Sequence, residues 1–121
     1  MRGWTAVVLA FALLVSAAPP AVAQSALTTL TVINGSAPLV GVKVSVVSRG
    51  GTLIAFGTTD GDGRVGFQIP KNVEVNLRIA TPEGRAETPM VARRDCRCAR
   101  PTRCSGRVEI RDGQASVKPA G

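Results

Sequence analysis

The sequence predicts an all-β chain, a seven-strand antiparallel β-sandwich, from three observations. Apolar residues recur at every second position in short runs. Turns rich in Gly, Asp and Pro separate the runs at about ten-residue spacing, and beyond residue 24 no window places apolar residues at i, i+3, i+4 and i+7. β-Branched side chains dominate these runs, so helices are expected to be absent or trivial.

A length of 121 residues allows one small domain. Residues 1–23 carry the pattern of an export signal: Arg2 is the positive start, Thr5 to Ser16 is apolar and uncharged, and Ala21-Val22-Ala23 is a small-x-small cleavage site ahead of Gln24. The apolar run is shorter than the about 20 residues that span a bilayer. No Cys follows the cleavage site, which argues against lipid anchoring. The expected organisation is a signal peptide over 1–23 and one β-sandwich over 24–121, secreted or periplasmic.

Along the mature part, Leu27 to Ile33 forms the first run. Val42, Val44 and Val46 then alternate with Lys43, Ser45 and Val47, which places the first three inward. Thr52 to Thr59 follows, and Val65, Phe67 and Ile69 make a third inward row. The clearest alternation is Val73 to Ile79, with Val73, Val75, Leu77 and Ile79 facing a core while Glu74, Asn76 and Arg78 face water. Ala86 to Ala92, Arg107 to Arg111 and a return through Ala115 to Val117 complete seven or eight strands. Ser48-Arg49-Gly50-Gly51, Asp60-Gly61-Asp62-Gly63, Pro82-Glu83-Gly84 and Asp112-Gly113 supply turn chemistry between them. Strands with one polar face each imply two sheets packed face to face.

The segment Val32-Ile33-Asn34-Gly35-Ser36-Ala37-Pro38-Leu39-Val40-Gly41-Val42 and the alternating strand after it resemble the opening of carboxypeptidase regulatory-like domains. Thr58-Thr59-Asp60-Gly61-Asp62-Gly63-Arg64-Val65-Gly66-Phe67 resembles their next hairpin, Thr-Asp-x-x-Gly before a strand containing Phe. The similarity covers Thr29 to Ile79 and continues loosely to Val117. It implies a transthyretin-like seven-strand sandwich that serves as an accessory or interaction module, with no catalytic residues to carry over. Arg93 to Gly106 departs from the pattern and reads as an inserted loop.

That loop holds every cysteine of the chain: Cys96, Cys98 and Cys104. In an exported protein a disulfide is the first expectation, and an odd count leaves one thiol over. Cys96 and Cys98 are too close in an extended chain to pair without strain, so Cys104 bonds to one or the other. The leftover thiol keeps redox pairing open, and three thiolates keep open a soft metal such as Cu(I) or Zn(II), although the spacing matches no zinc knuckle or ribbon.

Charge gathers in the same stretch. Arg93, Arg94, Arg97, Arg100, Arg103 and Arg107 oppose only Asp95, so the loop holds nearly all of the net charge, which is +7 for the whole chain. Arg without Lys favours bidentate contacts to carboxylate, phosphate or sulfate. The expected partner is a protein or an anionic cell-envelope component bound through these six arginines.

Other functions are read by elimination. Past the signal only Phe56 and Phe67 are aromatic, so neither a base-stacking platform nor an aromatic sugar-binding face can be built, and nucleic acid is not an expected partner. With no His and no Tyr, the usual nucleophile–base pairs are missing, so neither an enzyme nor a small-molecule substrate is expected. No cofactor is implied. Asp60-Gly61-Asp62-Gly63 reads as a hairpin turn and not as a calcium loop, because Lys71 stands where the terminal carboxylate would be needed. The competing readings are a thiol-based redox or soft-metal protein using Cys96, Cys98 and Cys104, and a small structural subunit of an envelope assembly.

Overall fold

The computed structural model describes residues 25–120, so the expected signal peptide lies outside the described residues. The strands are β1 (Ser25–Asn34), β2 (Ala37–Pro38), β3 (Lys43–Ser48), β4 (Leu53–Thr58), β5 (Arg64–Pro70), β6 (Val75–Thr81), β7 (Gly84–Met90), β8 (Arg97–Arg100), β9 (Arg103–Arg111) and β10 (Gln114–Pro119). One helical turn, α1 (Ala92–Asp95), interrupts them. The strand count is ten and not seven, because the two-residue β2 and the short β8 lie in segments expected to be loops.

Two sheets pack face to face. In the first, β5 and β2 lie along one side of β1, β9 lies along the other, and β10 and β8 share the far side of β9. The second runs β4-β3-β6-β7. All pairs are antiparallel except β1 and β9, which run parallel from Leu27↔Arg103 to Asn34↔Ile110. The expectation of a wholly antiparallel sandwich is corrected there: the chain visits the second sheet before β9 returns to the first strand.

The period-two rows are the core. Leu30, Val32, Val44, Val46, Ile69, Leu77, Ile79 and Val108 are fully buried between the sheets, each such side chain contributing roughly 1.5–3 kcal/mol before entropy is subtracted. Two positions depart from simple alternation. Val73 is 52% exposed, because β6 begins only at Val75 and Val73 lies in the preceding turn. Val47 points outward as expected, paired with Asn76, yet it is buried on that outer face and is not part of the core.

The Asp60–Gly63 turn is held locally. Asp60 Oδ1 accepts the N–H groups of Asp62 and Arg64 at 2.9 and 3.0 Å. These donors hold the carboxyl below its ordinary range. Gly63 has φ +76°, and a Cβ there would stand 2.8 Å from the Val32 carbonyl oxygen, so the turn closes onto β1 only with glycine. Thr59, buried at the end of β4, donates to the Leu39 carbonyl at 2.6 Å and accepts the Val42 N–H at 2.9 Å, which ties the β2–β3 connection down.

Candidate anion-binding face

Arg93 to Gly106 is no free loop. It consists of α1, the β8–β9 hairpin and the first part of β9, built into the edge of the first sheet. The hairpin turn is anchored from two sides: Leu27 N–H donates to the Thr102 carbonyl at 2.8 Å, and Lys71 Nζ donates to the Pro101 carbonyl at 2.8 Å. Along β9 burial alternates, with Cys104, Gly106, Val108 and Ile110 inward and Arg103, Arg107 and Arg111 exposed.

The register lays out the outer face of this sheet. One rung reads Arg64, Thr31, Arg107, Lys118 across β5, β1, β9 and β10. The next reads Gly66, Thr29, Ser105, Arg97, and a third reads Gln68, Leu27, Arg103, Arg100. With strands about 4.8 Å apart, Thr31, Thr29 and Ser105 form a polar centre beside Leu27, with guanidinium groups around it. Glu109 is the one acid on the β9 rows, and it is shared: Arg107 Nε lies 3.4 Å from Oε1 and Lys118 Nζ lies 3.3 Å from Oε2. Arg97, Arg100, Arg103 and Arg111 form no ion pair among the described residues, while the charge of Arg64 acts on Asp60.

The six expected arginines therefore divide. Arg97, Arg100, Arg103 and Arg107 share the sheet face. Arg93 and Arg94 sit on α1 and are locally engaged: Arg93 Nη1 donates to Asn72 Oδ1 at 3.4 Å, while Arg94 forms a two-point pair with Asp95 at 3.1 and 2.9 Å. That pair, led by its side-chain hydrogen bonds, raises Arg94 and lowers Asp95 from their ordinary values. Asp95 Oδ2 also accepts the Val91 N–H at 2.9 Å, closing the turn. Arg64, Arg111 and Lys118 join the face without having been singled out from the sequence. The signal for Arg111 was the four-residue spacing of Arg103, Arg107 and Arg111, which keeps them on one strand face, while Arg64 and Lys118 join only through strand pairing that the fold supplies.

Cys98 and Cys104 form the disulfide, with Cα atoms 4.0 Å apart across the hairpin. A covalent tie over so short a loop stabilises by about 2 kcal/mol in the chain-entropy picture, and it fixes β8, with Arg97 and Arg100, against β9. The bond suits an oxidising compartment. Cys96 is the leftover thiol. It is buried, with Sγ 3.7 Å from Met90 Sδ, and burial pushes its pKa up to about 11. Two sulfurs are thus bonded to each other and the third is protonated in the core, so the three cysteines are not presented together as thiolates.

No family model matches the chain, and no curated protein matches it. Among solved structures it is similar to 5-hydroxyisourate hydrolase of Klebsiella pneumoniae, at 19% identity and a TM-score of 0.58, covering 79% of this chain and 94% of that one. That protein is a hydrolase, which corrects the expectation of no enzyme drawn from the lack of His and Tyr, since an enzyme shares this fold. At this identity the likeness speaks for the fold alone. The chain is a transthyretin-like β-sandwich of two sheets, with one sheet face made strongly basic.

Proposed function

We propose that the chain is an exported interaction module of the carboxypeptidase regulatory-like kind that holds an anionic cell-envelope component on the outer face of its first sheet. One observation carries this reading: Arg97, Arg100, Arg103 and Arg111 lie on one sheet face without an ion pair of their own. Like charges directly opposed, as at Arg100↔Arg103, destabilise an antiparallel pair unless an anion lies between them. Guanidinium groups favour carboxylate, phosphate or sulfate held two-pronged. Thr29, Thr31 and Ser105 add hydroxyl donors in the centre, so a ligand can lie flat without aromatic stacking.

The test is retention on a sulfated-polysaccharide column, read as the salt concentration of elution. The triple variant Arg97→Ala, Arg103→Ala, Arg107→Ala is expected to elute at much lower salt than the parent chain, whereas Arg93→Ala with Arg94→Ala elutes nearly unchanged. Unchanged elution of the triple variant overturns the reading.

A further inference from the structure

The outer face of the second sheet carries a separate feature. A trough with a volume of about 220 Å³ runs along β3, floored by Ser45, Val47 and Ala80 and walled on one side by Leu53. Its apolar end is a product of the β3–β4 register shift beside Val47 and Leu53. Its other end is cationic. Lys43, Ala80 and Arg85 stand on one rung across β3, β6 and β7, so two cations flank a methyl group, two strand spacings or about 10 Å apart. Neither has an acidic partner among the described residues. Lys43 Nζ instead rests 5.3 Å from the centroid of the Phe56 ring.

Arg78, diagonal to both, completes the cationic end. Its Nε lies 3.0 Å from Glu87 Oε1, yet its N–H is not aimed at that oxygen, and Nε is buried without a hydrogen bond. Arg78 is nonetheless paired with Glu87, so Lys43 and Arg85 are the cations of the trough without an ion pair.

We propose that this trough is a second binding site, distinct from the basic face of the first sheet, and that it takes a small organic carboxylate with a short apolar body. The carboxylate lies over Ala80 between Lys43 and Arg85 and within reach of Arg78, and the apolar body lies against Val47 and Leu53. The combination of an apolar end and a cationic end selects against both inorganic anions, which leave the Leu53 end empty, and neutral alcohols, which leave the cations unpaired.

Titration of the isotope-labelled chain with hexanoate, followed by amide chemical shifts, tests this. Saturable shifts are expected at Ser45, Val47, Leu53 and Ala80, with hexanoate binding more tightly than hexanol or inorganic phosphate. Arg85→Ala weakens hexanoate about tenfold, as loss of a charged hydrogen bond does. Leu53→Ala weakens hexanoate and leaves acetate unchanged. The triple arginine variant of the first sheet leaves hexanoate binding intact, which separates this site from the polyanion face. Equal binding of hexanol, or shifts centred on Arg103 and Arg107, overturns the proposal.

Discussion

Cys96 Sγ occupies the space that a side chain on Gly106 would need: a Cβ built on Gly106 stands 2.7 Å from that sulfur and 3.3 Å from Leu30 Cδ2. The absence of a side chain in β9 and the thiol after α1 are one packing unit, which seats the helical turn on the first sheet. Gly106→Ala is expected to cost about 1–3 kcal/mol, as overpacking in a closed core does. Cys96→Ala makes room, so the double variant should recover part of that loss. Urea unfolding of the four chains measures the coupling, and additive losses would dissociate the two residues.

The same burial sets the behaviour of the thiol. The folded chain holds the Cys96 proton more tightly than the unfolded chain, so its contribution to stability is full below the ordinary thiol value of 9.0 and is lost as pH rises through about 11. A thiol reagent at pH 8 should find no reactive group in the native chain and one after unfolding.

Asp60 and Asp95 act at the other end of the scale. Both are held below their ordinary value of 3.8, Asp60 by the backbone N–H of Arg64 and Asp95 by its hydrogen bonds from Arg94. Their contributions are present above that value and are lost as pH falls through the lower folded-state values. Asp60→Asn and Asp95→Asn should therefore flatten the acid limb of the stability curve, measured as Tm against pH from 5 to 2.

Reduction of Cys98–Cys104, or replacement of both by Ser, should lower stability by about 2 kcal/mol. Amide exchange should accelerate in β8 and leave the β3–β6 ladder unchanged. Equal acceleration in both sheets would show that the bond does more than fix the hairpin.

Glu109 neutralises two cations of the basic face. Glu109→Gln frees Arg107 and Lys118 and should raise the salt concentration of elution from the sulfated-polysaccharide column, at a stability cost of about 1 kcal/mol or less. Earlier elution would place the ligand elsewhere.

Where aliphatic residues fill the inward positions, the fold was legible in the sequence. Val65, Phe67 and Ile69, or Val75, Leu77 and Ile79, are visible by alternation because nothing else explains it. The first part of β9 was not legible for the converse reason: its inward positions are Cys104 and Gly106, one serving as a small hydrophobe and the other left bare for Cys96. Cys, Gly and Arg in sequence read as a loop, so the arginines seemed to lie on a flap and not on a pleated face. Which arginines stand side by side depends on strand neighbours distant in the chain, as with Arg64 and Arg107 on either side of Thr31, and local pattern cannot report that. Val73 misled in the opposite direction, since alternation continues one residue pair beyond the point where the strand starts.

The parallel pairing of β1 with β9 imposes an order of assembly. β1 is central to its sheet, yet one of its long neighbours is Arg103–Arg111, far along the chain from it. Pairings this distant are slow to form, since the loop between them must close before any contact rewards it. The β9 arginines therefore take their places beside Thr31 and Arg64 only once this distant pairing has closed.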